Sequence, residues 1–131
     1  MDSRIHIIAP PNVLAGSGWS HIVAASGTFV AISGQVSVDT EGRLVGKDDV
    51  EAQIHQVYQN LIACLRAINA GFEHVVKLTY YATDIKTALP LMRRIRPTYI
   101  GMDKPPANTF VEVTALARPD FLFEAEAFAI L

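Results

Sequence analysis

The spacing of hydrophobic residues changes several times along the chain, and each change predicts a new structural element. Residues 21–25 and 28–33 are short runs of β-branched and apolar side chains separated by Ser26-Gly27. Such runs favour β-strands, and a Ser-Gly pair between them is typical of a tight turn. We therefore predict two antiparallel strands, paired as a hairpin, near the start of the domain.

A long amphipathic helix is predicted from Asp48 onward, because apolar residues recur there every three or four positions. Asp48 and Asp49 offer N-cap side chains, and Gly71 offers the residue that follows the helix C-terminus. The apolar stripe consists of Val50, Ile54, Val57, Tyr58, Leu61, Leu65 and Ile68.

The segments that follow predict a strand at residues 75–83 and a second helix at about residues 87–100. Pro97 falls inside the helical pattern, so the pattern alone leaves the end of this helix open. Pro105 and Pro106 close the region.

The last two predicted strands cover residues 108–115 and 122–130, and their side chains alternate between two faces. In the first, one face carries Asn108, Phe110 and Glu112. In the second, one face carries Phe123, Ala125, Ala127 and Ala129, which suits close packing under a helix. The other face holds Glu124 and Glu126 among large apolar neighbours, where a carboxylate is costly unless it is paired or takes part in chemistry.

The element order βββαβαββ predicts an α+β domain in which two helices cover one face of a single sheet. No repeat, low-complexity tract or linker divides the chain, so residues 1–131 are predicted to form one domain. Apolar residues make up 50% of the chain and charged residues only 18%, which indicates that a second copy covers part of the apolar surface.

Charge and cysteine content narrow the possible partners. The net charge is −2, with scattered Lys and Arg, which argues against nucleic acid as a main partner. Cys64 is the one cysteine and no Cys/His spacing resembles a zinc site, so we expect a reducing compartment, no metal and no cofactor. The apolar stretch at residues 5–9 is too short for a signal-peptide core, and no apolar run could span a membrane, which predicts a cytoplasmic protein.

Three segments resemble the signatures of the Rid (reactive intermediate deaminase, YjgF-like) family. Ile32-Ser33-Gly34-Gln35 is similar to a Ser-Gly-Gln turn, PANTFVEV at residues 106–113 to a Pro-Ala-Arg-x-x-Val-Glu-Val segment, and FEAEAFA at residues 123–129 to a final Glu-x-Glu-Ala strand. The resemblance runs from about residue 16 to residue 131. It implies a chorismate-mutase-like fold, a homotrimer centred on a barrel of sheets, and a small-molecule cleft at each subunit interface.

The resemblance also assigns candidate site residues. In the best-known branch of the family, an arginine of the Pro-Ala-Arg segment holds the carboxylate of a 2-imino or 2-enamino acid, and a glutamate helps water to replace the nitrogen. The glutamate is kept as Glu126, and a half-buried carboxylate with a raised pKa can relay the proton. The arginine is replaced by Asn108, a cysteine by Phe110, and an N-terminal tyrosine by Trp19. The remaining candidates for substrate binding are Ser33, Gly34, Thr109 and Arg93.

Asn108 changes the expected substrate more than the chemistry. An arginine fork gives two charge-assisted hydrogen bonds of about 1.5–3 kcal/mol each, whereas an amide gives one of about 1 kcal/mol. The expected loss of affinity for an imino acid is about 10- to 1000-fold. A neutral or differently anchored substrate is therefore expected. Arg93 offers a substitute cation, although Arg93, Arg94 and Arg96 together favour a solvated helix face.

Several residues have a structural alternative. Glu126 could instead hydrogen-bond backbone or a neighbouring subunit, and for Glu124 we favour such a structural network. Asn108 could satisfy backbone groups at the start of its strand, and Trp19 could pack at an interface. Phe110 is expected to form a wall of the cleft.

Three functions follow. The first is an enzyme that hydrolyses an enamine, imine or related carbon–nitrogen bond of a small metabolite. The second is a non-catalytic member that binds a small metabolite as a sensor or chaperone, which the loss of the arginine favours. The third is the endoribonuclease or translation-inhibitor activity long associated with the family, against which the charge balance argues.

Overall fold

The elements follow the predicted order of three strands, a helix, a strand, a helix and two strands. This computed structural model describes residues 4–131, so Met1, Asp2 and Ser3 of the predicted domain and of the opening segment lie outside the described residues. The strands are β1 (Ile5–Ile7), β2 (Ile22–Ala24), β3 (Phe29–Val36), β4 (Val75–Ala82), β5 (Ala107–Glu112) and β6 (Phe123–Ile130). The helices are α1 (Val50–Arg66) and α2 (Ile85–Ile95), and short 3-10 turns follow at Phe72–His74 and Arg96–Thr98.

The main sheet has four strands in the order β3-β6-β4-β5. β4 and β5 are parallel because α2 carries the chain back between them, whereas β6 is antiparallel to both of its neighbours. β1 and β2 form a separate two-stranded ladder, so the predicted single sheet is divided into a main sheet and a small one.

The predicted hairpin between residues 21–25 and 28–33 is wrong in its pairing. β2 pairs with β1, and β3 pairs with β6, although all four strands are antiparallel to their partners. Gly27 has a φ of +144°, and the chain changes sheets there instead of folding back on itself. The backbone of Leu131 lies so close that a side chain at position 27 would meet it, and Thr28 and Leu131 exchange two backbone hydrogen bonds.

Helix α1 confirms the predicted stripe. The Asp49 side chain caps the helix by accepting a hydrogen bond from Ala52 N at 3.0 Å. The stripe residues from Ile54 to Leu65 are buried against the sheet. The helix ends earlier than Gly71 indicates, at Arg66, and Asn69 rather than Gly71 adopts the left-handed conformation that turns the chain, with a φ of +56°.

Helix α2 begins at Ile85, two residues before the predicted start, and ends at Ile95 rather than near Ile100. The end agrees with Pro97, because proline has no N–H to donate the next helical hydrogen bond. The chain continues as a single 3-10 turn that keeps Arg96 against the end of the helix.

Alternation along the last strand is confirmed. Phe123, Ala125, Ala127 and Ala129 are all buried in the core beneath the helices. Their small side chains let the helices approach the sheet closely. Glu124 and Glu126 therefore lie on the opposite, open face, where both are half-buried.

Candidate functional site

The predicted site residues fall into two groups on opposite faces of the main sheet. Residues paired across neighbouring strands share a face, and Asn108 is paired with Leu78, which is fully buried in the core beneath the helices. Glu126 is paired with Thr79, the next residue along β4, and so lies on the open face. Within one chain, Asn108 and Glu126 cannot contact the same small molecule.

The first group forms a groove, called here the Trp19 groove, next to the start of β5. Ser20 joins the Trp19 segment to the residues before β5, because its hydroxyl donates to Pro105 O at 2.6 Å and its backbone N–H donates to Pro106 O at 3.1 Å. These bonds hold Trp19 beside the PANTF segment. The Trp19 ring also packs edge-on against His21, with 4.6 Å between ring centroids.

The groove has two cavities, and Trp19, Arg93 and Arg96 line both of them. One has a volume of about 260 Å³ and is also lined by Ile85, Leu89, Met92, Asn108, Thr109 and Phe110. The other has a volume of about 430 Å³ and is also lined by Ser17 and Met102. Five predicted binding residues thus line this groove: Trp19, Arg93, Asn108, Thr109 and Phe110. Thr109 is paired with Thr79, so its side chain lies on the open face of the sheet. Both cavities are large enough for a small metabolite.

Two of these residues also have structural contacts. Phe110 packs against Tyr80 and Phe123 with centroid distances of 5.6 and 6.0 Å, so it joins the groove to the core, as expected for a wall residue. The Thr109 hydroxyl accepts a hydrogen bond from Lys77 Nζ at 2.7 Å.

Arg96 is the residue of the groove that the sequence interpretation missed. Arg93 and Arg94 are exposed, as a solvated helix face requires, but Arg96 is only 5% exposed. It follows Ala88 and Met92 at four-residue spacing, and both of those residues are buried on α2. That spacing is the signal that places Arg96 on the inner stripe of the helix rather than on its solvated face.

The second group, called here the carboxylate face, consists of Ser33, Gly34, Tyr81, Glu124 and Glu126. Ile32 pairs with Ala127 and Gln35 pairs with Ala125, so Ser33 and Gly34 together lie opposite Glu126. This is a β-bulge, a feature that often lies beside active sites because it redirects the strand. A Cβ at Gly34 would lie 2.9 Å from the carboxyl carbon of Glu124, so glycine lets that carboxylate lie close to the bulge.

The two carboxylates have different surroundings. Tyr81 donates a hydrogen bond to Glu126 Oε1 at 2.7 Å, which orients the carboxylate and raises the pKa of Tyr81. Burial, followed by the charge of Glu126, raises the pKa of Glu124. Among residues 4–131, neither glutamate forms an ion pair with a basic side chain. Tyr81 was missed by the sequence interpretation, although the alternation of Lys77, Thr79 and Tyr81 with buried neighbours places it on the open face.

The carboxylate face thus offers a half-buried carboxylate that can accept a proton. The Trp19 groove offers two cations, Arg93 and Arg96, and the amide of Asn108. In the part of the chain that the structure describes, no three His, Cys, Asp or Glu side chains are grouped to hold a metal ion. No helix of residues 4–131 is long and apolar enough to cross a membrane.

Known proteins share this architecture. The family model described as Endoribonuclease L-PSP matches residues 11–131. A RutC family protein of Pyrococcus abyssi is 35% identical over 103 residues, which are 79% of each chain. The crystal structure of YyfB from Yersinia pestis, described as a protein of unknown function of the conserved Rid protein family, has a TM-score of 0.87 at 37% identity and covers 98% of both chains. A putative endoribonuclease of Thermotoga maritima has a TM-score of 0.72 at 30% identity, covering 95% of this chain and 92% of that one.

A mixed sheet of this order with two helices on one face is the chorismate-mutase-like fold that the sequence resemblance implied. The chain belongs to the Rid (YjgF) family, described by its family model as Endoribonuclease L-PSP.

Proposed function

We propose that this Rid-family protein hydrolyses a small enamine, imine or related carbon–nitrogen compound in clefts between the subunits of a homotrimer. The observation that carries the proposal is the carboxylate of Glu126, which lies opposite the Ser33-Gly34 bulge and is oriented by Tyr81. A fixed, half-buried carboxylate beside polar backbone is the arrangement that a proton relay needs.

The chemistry follows from that carboxylate. The electrophile is the protonated imine, C=NH2+, which an enamine also forms when its carbon is protonated. A water molecule adds to the carbon of this iminium while Glu126 takes a proton from the water, which gives a neutral tetrahedral aminoalcohol. Glu126 then returns the proton to the nitrogen, the C–N bond breaks, and ammonia leaves as the carbonyl forms. The hydroxyl proton is released in that last step, so the net reaction consumes one water for each ammonia. One carboxylate acts in turn as base and acid, as in other hydrolytic sites.

The opposite placement of Asn108 and Glu126 supports a site between subunits. A small substrate that touches both residues needs the groove of one chain and the carboxylate face of its neighbour. A head-to-tail interface that closes as a ring brings such different surfaces together. The open face also exposes large apolar side chains, with Phe29 at 61% and Phe128 at 36%, which a neighbouring subunit would cover.

Asn108 supports an altered substrate preference. At this position the best-known members of the family use an arginine to hold the carboxylate of a 2-imino acid, whereas an amide offers a much weaker grip on that group. An acid whose carboxylate lies directly on the imine carbon is therefore a poor substrate for this chain.

Ammonia release from freshly generated imines tests the proposal. A panel with neutral and acidic members, each made in place and followed against its spontaneous hydrolysis, should contain at least one compound whose hydrolysis the protein accelerates. Binding without acceleration across the panel would favour the non-catalytic alternative, a metabolite sensor or chaperone, which the missing arginine supports. Cleavage of labelled RNA at physiological salt, together with no imine hydrolysis, would favour the endoribonuclease reading.

A further inference from the structure

The Trp19 groove contains a buried cation for which residues 4–131 provide no counter-ion. Arg96 is 5% exposed, and none of the ion pairs formed within residues 4–131 involves it. Its Nη2 donates to Ser17 O at 3.2 Å, and the one hydrogen bond of its Nη1 within residues 4–131 is to the Met92 sulfur, at 3.8 Å. Its Nε is buried and has no hydrogen-bond partner in residues 4–131. Much of the donor capacity of this guanidinium is therefore unused.

Two tyrosine hydroxyls that the Arg96 charge influences do not neutralise it. Tyr58 and Tyr80 share a hydrogen bond of 2.8 Å beneath the groove. Burial raises the pKa of Tyr80 to about 12 and raises the pKa of Tyr58 well above its ordinary value, even though the Arg96 charge opposes both shifts. Both tyrosines are thus neutral at physiological pH. A buried charge without a partner is costly, and a bound anion would remove that cost.

Arg96 is nevertheless reachable from the groove. It lines both cavities beside Trp19, so the small part of its surface that is exposed faces a space where a ligand can bind. The loop over it is built for close approach, because Gly18 has a φ of +77° and a Cβ there would lie 3.2 Å from the Arg96 guanidinium carbon. Trp19 and Met102 add apolar walls.

We propose that the Trp19 groove binds a small organic carboxylate and that Arg96 is its anchor. Arg96 serves this role better than Arg93, since Arg93 is exposed and water screens its charge, whereas a buried guanidinium binds a carboxylate strongly. The apolar walls select an acid with a hydrocarbon body. The inference rests on the proposed function for the reaction of such an acid, and it specifies the substrate as one held at Arg96 rather than at position 108.

Trp19 provides the measurement, because it is the one tryptophan in the sequence. Cyclohexanecarboxylate and its neutral amide, cyclohexanecarboxamide, have nearly the same shape and differ in charge. Titrating each into the full-length protein, up to about 10 mM, should change Trp19 fluorescence in a saturable way, with the acid binding at least about 10-fold more tightly than the amide. Neither compound has a C=N bond, so this result is independent of whether the protein hydrolyses imines.

Variants locate the anchor. Arg96→Met should remove the preference for the acid, whereas Arg94→Met, on the exposed face of the same helix, should keep it. Arg96→Lys retains the charge without the fork and should keep part of the preference. Circular dichroism and thermal unfolding establish that each variant is folded, and if Arg96→Met does not fold, Arg96→Lys and the wild-type comparison still decide the matter.

Three results would overturn the proposal. The first is equal binding of acid and amide by the wild-type protein. The second is no change in either Trp19 fluorescence or melting temperature with the acid at about 10 mM, since a ligand that binds the folded state must raise its stability. The third is an unchanged preference for the acid in folded Arg96→Met, which would place the charge recognition on another residue such as Arg93, or in Arg96→Lys, which would show that the guanidinium of Arg96 is not what holds the acid.

Discussion

The Trp19 groove and the carboxylate face have opposite charges and opposite surroundings. The groove holds a cation, Arg96, that is buried under a loop and beside the end of α2. The carboxylate face holds Glu124 and Glu126 half-buried on an open sheet surface, and Glu126 accepts a hydrogen bond from Tyr81. Neither region has counter-ions of its own for these groups within residues 4–131. One chain thus presents a cationic region and an anionic region on opposite sides of its sheet, which is the arrangement that the proposed intersubunit site needs.

The difference indicates that the groove recognises the substrate and that the carboxylate face transfers the proton. A rigid, buried cation suits recognition, because its charge is little screened and its geometry is fixed. A carboxylate that remains partly hydrated suits proton transfer, because both of its protonation states must be reached during turnover. Substitutions in one region should therefore change recognition, and substitutions in the other should change proton transfer.

The largest effect is expected from Glu126→Gln. The amide keeps the shape and can still accept the Tyr81 hydrogen bond, but it removes the base, so turnover of the best substrate should fall by about 100-fold or more. Assembly and melting temperature should change little. Turnover and thermal unfolding are measured on one preparation. A variant that loses activity only in proportion to its folded fraction would instead make Glu126 a structural anchor.

Mixed trimers should reveal that the two regions come from different chains. Glu126→Gln disables one half of the site and Trp19→Ala disables the other, so each variant alone should have little activity. Co-refolded at equal amounts, they should recover about a quarter of the wild-type activity, since about a quarter of the interfaces combine two intact halves. Light scattering should give a mass near three times 14.3 kDa for each sample.

The matched control mixes Glu126→Gln with Glu126→Ala, which disable the same half and should recover nothing. A failure of the first mixture to exceed this control, with subunit exchange verified by mass, would place the whole site within one chain. A stable monomer at micromolar concentration would remove the basis for any shared site.

A smaller change is expected from Asn108→Arg in the Trp19 groove. Restoring the guanidinium fork should raise kcat/KM for iminopropionate by about 10-fold or more. Asn108→Gln, which keeps the amide, is the control and should give no gain. A wild-type protein that already hydrolyses iminopropionate as fast as arginine-bearing members of the family would contradict the altered preference.

Local patterns predicted the elements of the fold well, because they depend on near neighbours in sequence. The stripe of α1 and the alternation of β6 fixed which faces are buried, and the latter placed Glu124 and Glu126 on the open face. The pairing of strands depends on distant residues instead. The turn signal at Ser26-Gly27 is real, but it could not indicate that β3 pairs with β6 rather than with β2.

The sequence predicted which residues belong to the candidate site, but it did not predict how they are placed relative to one another. Family motifs identify residues one by one, and they contain no information on which face of the sheet each residue occupies in a single chain. Arg96 was assigned to the solvated face with its neighbours Arg93 and Arg94, since three arginines in a short segment usually point to water. Its burial depends on the packing of the loop at Ser17 and Gly18 over the end of α2, which no local pattern predicts.

The smallest effect is expected from Glu124→Gln, and it tests the structural role assigned to that residue. Burial and the neighbouring charge of Glu126 raise the pKa of Glu124 in the folded state above its ordinary value of 4.5. The folded state therefore holds this proton more tightly than the unfolded state, so the stability that it contributes is lost as the pH rises through the folded pKa. At neutral pH, Glu124→Gln should raise the melting temperature by a few degrees at most, because the carboxyl is only partly buried. The gain should disappear as the pH is lowered from about 8 to about 4, where the wild-type carboxyl becomes protonated.

The control is Glu73→Gln, which replaces an exposed carboxylate distant in sequence from Glu124 and should show no such gain. A melting temperature that falls in Glu124→Gln at neutral pH would mean that the ionised carboxylate is needed, and that a partner subunit supplies the cation which residues 4–131 lack on this face.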